Sequence, residues 1–142
     1  MIKNSETHIL KFYRLSYYLY TKRYFKIARI VSICIRIIFS AEIPASCKIG
    51  KGVQLKHGGL GIVLHDNAVI GDGSILFHNV TIGGREKHGT PTIGKNVYIG
   101  CGASILGNVY IGDNARIGAN SVVLTDVKKG DNVVGIPAKV KL

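Results

Sequence analysis

Residues 93–123 read IGKNVY-IGCGAS-ILGNVY-IGDNAR-IGANSV-V, with Ile93, Ile99, Ile105, Ile111, Ile117 and Val123 spaced six apart without a break. Upstream, Leu64, Ile70, Leu76 and Ile82 keep the same spacing, as do Ile43, Ile49 and Leu55. Four residues after these positions stands a small or β-branched residue, as at Cys47, Val53, Ala68, Ser74, Val80, Val97, Ala103, Val109, Ala115, Ser121 and Val127. Three residues after them stands Asn or Gly: Gly52, Gly58, Asn67, Gly73, Asn79, Asn96, Gly102, Asn108, Asn114, Asn120. Asn and Gly tolerate positive φ, so the pattern predicts a tight corner in every hexad.

A period of six fits neither an α-helix nor a simple strand alternation. It fits a solenoid whose hexads each supply one short strand and one corner, three to a coil. The apolar residue then points inward and stacks on its equivalent in the next coil, while the small residue fills the crowded corner. The chain is therefore expected to be mainly β, with 41–142 as the β-helix domain and 1–40 as a short N-terminal helical segment.

The register fails twice. Leu55 and Leu64 lie nine apart, across Lys56-His57-Gly58-Gly59-Leu60-Gly61. Ile82 and Ile93 lie eleven apart, across Gly83-Gly84-Arg85-Glu86-Lys87-His88-Gly89-Thr90-Pro91. Extra residues must bulge from the wall of a solenoid, and loops on rigid scaffolds are where function is placed. Both bulges carry a histidine. One coil takes about 18 residues, so Glu42 and His57 should meet near one corner, where a carboxylate could orient and charge-stabilise an imidazole. His65 and His78 lie inside regular hexads and read as outward-facing structural residues; His8 belongs to no motif.

Composition narrows the class. With 46% hydrophobic and 19% charged residues over 142 positions, the chain can bury a core. Cys34, Cys47 and Cys101 form no CxxC pair, which points to reduced thiols and a cytoplasmic protein rather than a sulfur-bound metal. The net charge of +11 is uneven: residues 1–40 hold eight Lys or Arg against Glu6, and 41–142 hold eleven against seven acids. No nucleic-acid-binding motif accompanies it. No signal peptide is expected, and Lys22, Arg23, Lys26, Arg29 and Arg36 interrupt the one apolar stretch that could suggest a membrane span.

With Glu42-Ile-Pro-Ala-Ser-Cys-Lys-Ile-Gly50, Leu55-Lys-His57-Gly-Gly, Val80-Thr-Ile-Gly-Gly84 and Val134-Gly-Ile-Pro-Ala-Lys139 in view, residues 41–142 resemble the serine acetyltransferase-like branch of the hexapeptide acyltransferases. The resemblance implies a left-handed coil, against the usual right-handed crossover. It also implies a homotrimer with active sites between subunits, and acetyl-CoA as the acyl donor with no metal. His57 matches the family's general base and Glu42 the acid fifteen residues upstream, with Glu in place of Asp. Two departures bear on the acceptor. Lys56 replaces the Asp before the catalytic His, and Gly89-Thr90 replaces an Arg-His pair in the second loop. Both losses remove charge partners for an amino acid. The expected acceptor is therefore a neutral hydroxyl, such as a sugar of a surface polysaccharide, with Lys56, Arg85 and His88 around it; serine, as in cysteine biosynthesis, is the alternative.

In that reading His57 takes the acceptor's proton, and backbone N–H groups near Gly84 or the 100–102 turn face the oxyanion. Small residues at Gly100, Cys101, Gly102 and Ala119 leave room for pantetheine, and Arg116 and Lys139 match the family's basic positions for the CoA phosphates. Two rivals remain open. A γ-class carbonic-anhydrase-like hydratase shares the architecture but needs a closely spaced His pair that this chain lacks, and a structural solenoid would leave the loop histidines incidental. Residues 9–39 read as one or two helices, with Lys22, Lys26, Arg29 and Arg36 on one face and Ile27, Ile30, Val31, Cys34 and Ile38 opposite. They either cap the open end of the solenoid or lie on an anionic membrane surface as a peripheral contact.

Overall fold

The computed structural model describes residues 7–85 and 89–141. Two antiparallel helices, α1 (His8–Thr21) and α2 (Phe25–Phe39), precede a left-handed parallel β-helix of three faces. The first face stacks β1 (Lys48–Ile49), β4 (Val69–Ile70), β7 (Thr92–Ile93) and β10 (Tyr110–Ile111). The second stacks β2 (Gln54–Leu55), β5 (Ile75–Leu76), β8 (Tyr98–Ile99), β11 (Arg116–Ile117) and β13 (Asn132–Val134), closed by antiparallel β14 (Lys139–Val140). The third stacks β3 (Val63–Leu64), β6 (Thr81–Gly83), β9 (Ser104–Leu106) and β12 (Val122–Val123).

The six-residue series becomes three columns. Ile49, Ile70, Ile93 and Ile111 pair in register up the first face. Leu55, Leu76, Ile99, Ile117 and Val133 do so on the second, and Leu64, Ile82, Ile105 and Val123 on the third. All are buried. The small residues of the corners are buried as well, and Ser74 is satisfied there: its Oγ donates to Gly94 O at 3.0 Å and accepts from Val97 N at 3.1 Å.

Corner geometry follows the Asn/Gly pattern with one slip. Asn67, Gly73, Asn79, Asn96, Gly102, Asn114 and Asn120 all have positive φ. Asn108 does not; Gly107 takes the left-handed position at φ 92°, because β9 runs one residue longer, to Leu106. Arg85, from the second insertion, lies over this corner: a Cβ placed on Gly107 would come 3.3 Å from Arg85 Cβ.

The open end of the coil would leave the backbone groups of β1 unpaired, and α1 supplies their partners. Tyr13, fully buried, donates from Oη to Cys47 O at 2.6 Å and accepts from Ile49 N at 3.1 Å. Arg14 donates to Ile49 O and, at 2.6 Å, to Gly50 O. Burial pushes the Tyr13 phenol up to about 12, and burial with nearby Asp66 pushes the Cys47 thiol up to about 12, so both stay neutral in ordinary buffers. Ile9, Leu10, Tyr13 and Ile35 join the same buried cluster as the coil's inward residues.

The orientation of α2 differs from the sequence expectation. Its buried side is Ala28 and Ile35, not the stripe of Ile27, Ile30 and Ile38, which faces outward. Small residues decide this: Ser16 of α1 donates to Ala28 O at 2.9 Å and lies 3.0 Å from Ser32 Oγ, an approach that bulky isoleucines would block. Among the described residues no helix is long and apolar enough to cross a membrane.

Candidate active site

The first register break forms a tight turn over Lys56–Gly59, between the second and third faces. His57 sits in it at φ 55° and ψ 35°, with Gly58 and Gly59 also at positive φ. A non-glycine, non-Asn residue in this region costs backbone energy and is a common mark of a functional position. The His57 side chain is exposed, while Gly59 is buried against Ile9 of α1, so the turn is pinned from below and open outward.

Register places His78 directly above His57. The two rings meet edge to face, with centroids 4.9 Å apart and planes at 89°, and Phe77 lies 6.1 Å from the His57 ring. His78 Nδ1 is buried and makes no hydrogen bond among the described residues. Lying inside a regular hexad, His78 reads from the sequence as an outward structural residue; the structure stacks it on His57 because the two histidines stand two residues after Leu55 and Leu76, which pair in register. Two histidines on successive coils at the same corner were the signal available.

The same corner continues upward through Cys101 and Ala119. Gly102 N donates to His78 O at 3.1 Å and Asn120 N to Cys101 O at 2.8 Å, which ties the three corners together. Gly100 is required to be small: a Cβ there would lie 2.6 Å from Ala119 N. At the upper end of the second face, Arg116 is exposed and stacks its guanidinium 4.4 Å from the Tyr98 ring, and Lys139 pairs with Val134 on β13. A strip of small residues thus leads from His57 toward two exposed cations.

Two expectations need revision. Glu42 does not pair with His57: its Oε2 lies 3.6 Å from Arg36 Nη1, both side chains largely exposed. The placement of α2 beside the start of the coil sets Arg36 against Glu42. Lys56 turns along the second face, its Nζ donating to Gln54 Oε1 at 2.6 Å. Arg85 and Gly84 follow the third face, whereas His57 precedes it, and Gly84 packs against His65, whose Nε2 lies 3.1 Å from a Cβ placed on Gly84. The Cys101 corner is two coil steps above His57, about 10 Å at the usual strand spacing. His88 lies outside the described residues.

Comparison with known proteins places these features. A family described as bacterial transferase hexapeptide (six repeats) matches residues 90–125. The chain is 42% identical over 135 residues to a serine acetyltransferase of Helicobacter pylori, covering 93% of this chain and 78% of that protein. A serine acetyltransferase of Synechococcus elongatus is 40% identical over 131 residues, 90% of this chain and 53% of that one. A solved serine acetyltransferase in complex with CoA superposes with a TM-score of 0.88 at 34% identity, over 94% of this chain and 55% of its own. The Neisseria gonorrhoeae serine acetyltransferase in complex with serine gives 0.90 at 37% identity, over 95% and 56%. The chain therefore spans nearly four-fifths of the H. pylori protein and a little over half of the other three.

Proposed function

Since this chain belongs to the serine acetyltransferase family of hexapeptide-repeat transferases, we propose that it moves the acetyl group of acetyl-CoA onto the side-chain hydroxyl of serine. The enzyme is an acyltransferase, and the expectation of a polysaccharide sugar as acceptor is overturned. Relatives at about 40% identity across nine-tenths of the chain are serine acetyltransferases, and one of the solved neighbours holds serine. The physical argument for a sugar also loses force. Lys56 donates its ammonium to Gln54 Oε1, so it does not point into the acceptor's space as the sugar reading required.

The observation that carries the mechanism is His57, an exposed imidazole at the interrupted corner, held edge-on by His78. His57 removes the proton from the serine hydroxyl as the oxygen attacks the thioester carbonyl. The tetrahedral intermediate collapses, the C–S bond breaks, and the CoA thiolate takes the proton back from His57. His78 positions the ring, the part first assigned to Glu42. The CoA chain runs along the small residues at Gly100–Gly102 and Ala119, and its phosphates meet Arg116 and Lys139.

The assembly is a homotrimer with active sites between subunits. Membership of the serine acetyltransferase family supports it. The test is thiol release from acetyl-CoA with serine as acceptor, for the wild type and His57→Ala. Serine-dependent release that falls about 10²–10⁴-fold in the variant is the expected outcome. Release that ignores serine overturns the acceptor; release that survives in His57→Ala overturns the base.

A further inference from the structure

Helix α2 buries one face on α1 and leaves the opposite face apolar. Ile27, Ile30, Ile33, Ile37 and Ile38 are 48 to 75% exposed, although a helix packed on one side ordinarily turns polar residues to water on the other. From Ile27 to Ile38 this makes a stripe about 18 Å long. Charge says what covers it. Between Thr7 and Ala41 there is no Asp or Glu, and Lys22, Arg23, Lys26 and Arg29 are exposed around the start of the stripe. Lys26 lies in line with Ile33 and Ile37 on the helix wheel, and its long stem lets the ammonium leave an apolar surface for a polar boundary.

A second copy docked two-fold, stripe against stripe, would bring the same cations together, with no acidic partner on either helix. A surface that is apolar at depth and anionic at its boundary matches both features at once. We propose that α2 lies flat on an anionic lipid bilayer, inserting its isoleucine stripe while Lys22, Arg23, Lys26 and Arg29 meet lipid headgroups, and so holds the acyltransferase at a membrane surface. The helix lies in the interface and does not span it. The helical segment thus divides its work: α1 seals the coil through Tyr13 and Arg14, and α2 faces the lipid.

The test uses the full chain with vesicles of phosphatidylcholine alone and of phosphatidylcholine mixed with phosphatidylglycerol. Co-sedimentation with the anionic vesicles only, weakened by salt, is expected. The double variant Ile30→Asn/Ile37→Asn should bind them at least roughly tenfold less while keeping its circular dichroism and thiol-release activity. Lys22→Gln/Lys26→Gln separates the charge contribution and should lower binding to anionic vesicles too. Three results overturn the proposal: no binding to anionic vesicles; binding that the isoleucine changes leave intact, which marks a general affinity for polyanions; or a soluble assembly that Ile30→Asn/Ile37→Asn dissociates, which assigns the stripe to a second copy.

Discussion

Two kinds of corner adopt one backbone conformation in this molecule. At Asn67, Asn79, Asn96, Asn114 and Asn120 the left-handed residue has φ between 54° and 62°, and its short amide suits the local geometry. At His57 φ is 55°, and the residue carries an imidazole in place of the amide. The Asn corners serve the coil. The His57 corner accepts a strain of about 1–2 kcal/mol to hold a titratable ring outward, against His78 and Phe77. The difference teaches where this solenoid departs from its own rule, and each departure can be tested by making one corner resemble the other.

Removing the ring should have the largest effect. His57→Ala is expected to lower kcat by about 10²–10⁴, some 3–5 kcal/mol of barrier, while losing no more than about 1 kcal/mol of stability with the ring's contacts. Steady-state kinetics beside a melting curve checks both halves. A variant that unfolds would mean this corner is structural after all.

Next comes a contrast between two glycines of the same turn. Gly61 has φ +68°, and a Cβ there would lie 1.9 Å from Asn79 Oδ1, the amide of the next corner. Gly58 has the same φ but nothing within 4 Å of its Cβ position. Gly61→Ala should cost about 2–4 kcal/mol, with strain and clash together, and Gly58→Ala about 1 kcal/mol from strain alone. Urea midpoints measure the gap. Equal losses would show that the corners do not touch through Asn79 as drawn.

His78 tests whether the functional corner extends beyond one residue. His78→Leu keeps an apolar body but removes the imidazole edge that orients His57. It should lower kcat about tenfold, near 1.4 kcal/mol, with KM for acetyl-CoA little changed and an altered pH–rate profile. A change in stability alone, with the profile intact, would return His78 to a structural part.

The coil was legible because a period of six is imposed by strand, corner and three-fold closure, and each inward residue meets its own kind in the next coil. Ile49 on Ile70 and Leu76 on Ile99 needed no other information. What escaped the pattern depended on tertiary placement. The choice of Gly107 over Asn108 turned on one extra strand residue and the loop above it. The Glu42–Arg36 pair depended on where α2 lands, and so did the outward turn of its isoleucines. The His57–His78 contact was within reach of the spacing, since each histidine stands two residues after Leu55 and Leu76, which pair in register. Acceptor identity escaped for another reason: the two substitutions at Lys56 and Gly89-Thr90 point away from an amino acid, whereas relatives at about 40% identity are serine acetyltransferases.

The smallest effect is the most direct test of the two kinds of corner. His57→Asn puts the residue of the structural corners into the functional one. If the left-handed backbone at His57 is strained for the sake of the ring, the Asn variant should be inactive and more stable, by about 0.5–1 kcal/mol, since Asn occupies this region with less penalty. The gain must outweigh the packing lost when the ring leaves His78 and Phe77, a contact worth no more than about 1 kcal/mol at an exposed position. A higher thermal midpoint than His57→Ala and wild type alike would show that the strain serves the chemistry. A lower midpoint than wild type would show that the ring's contacts hold the turn, and that this corner is built by packing where the others are built by backbone preference.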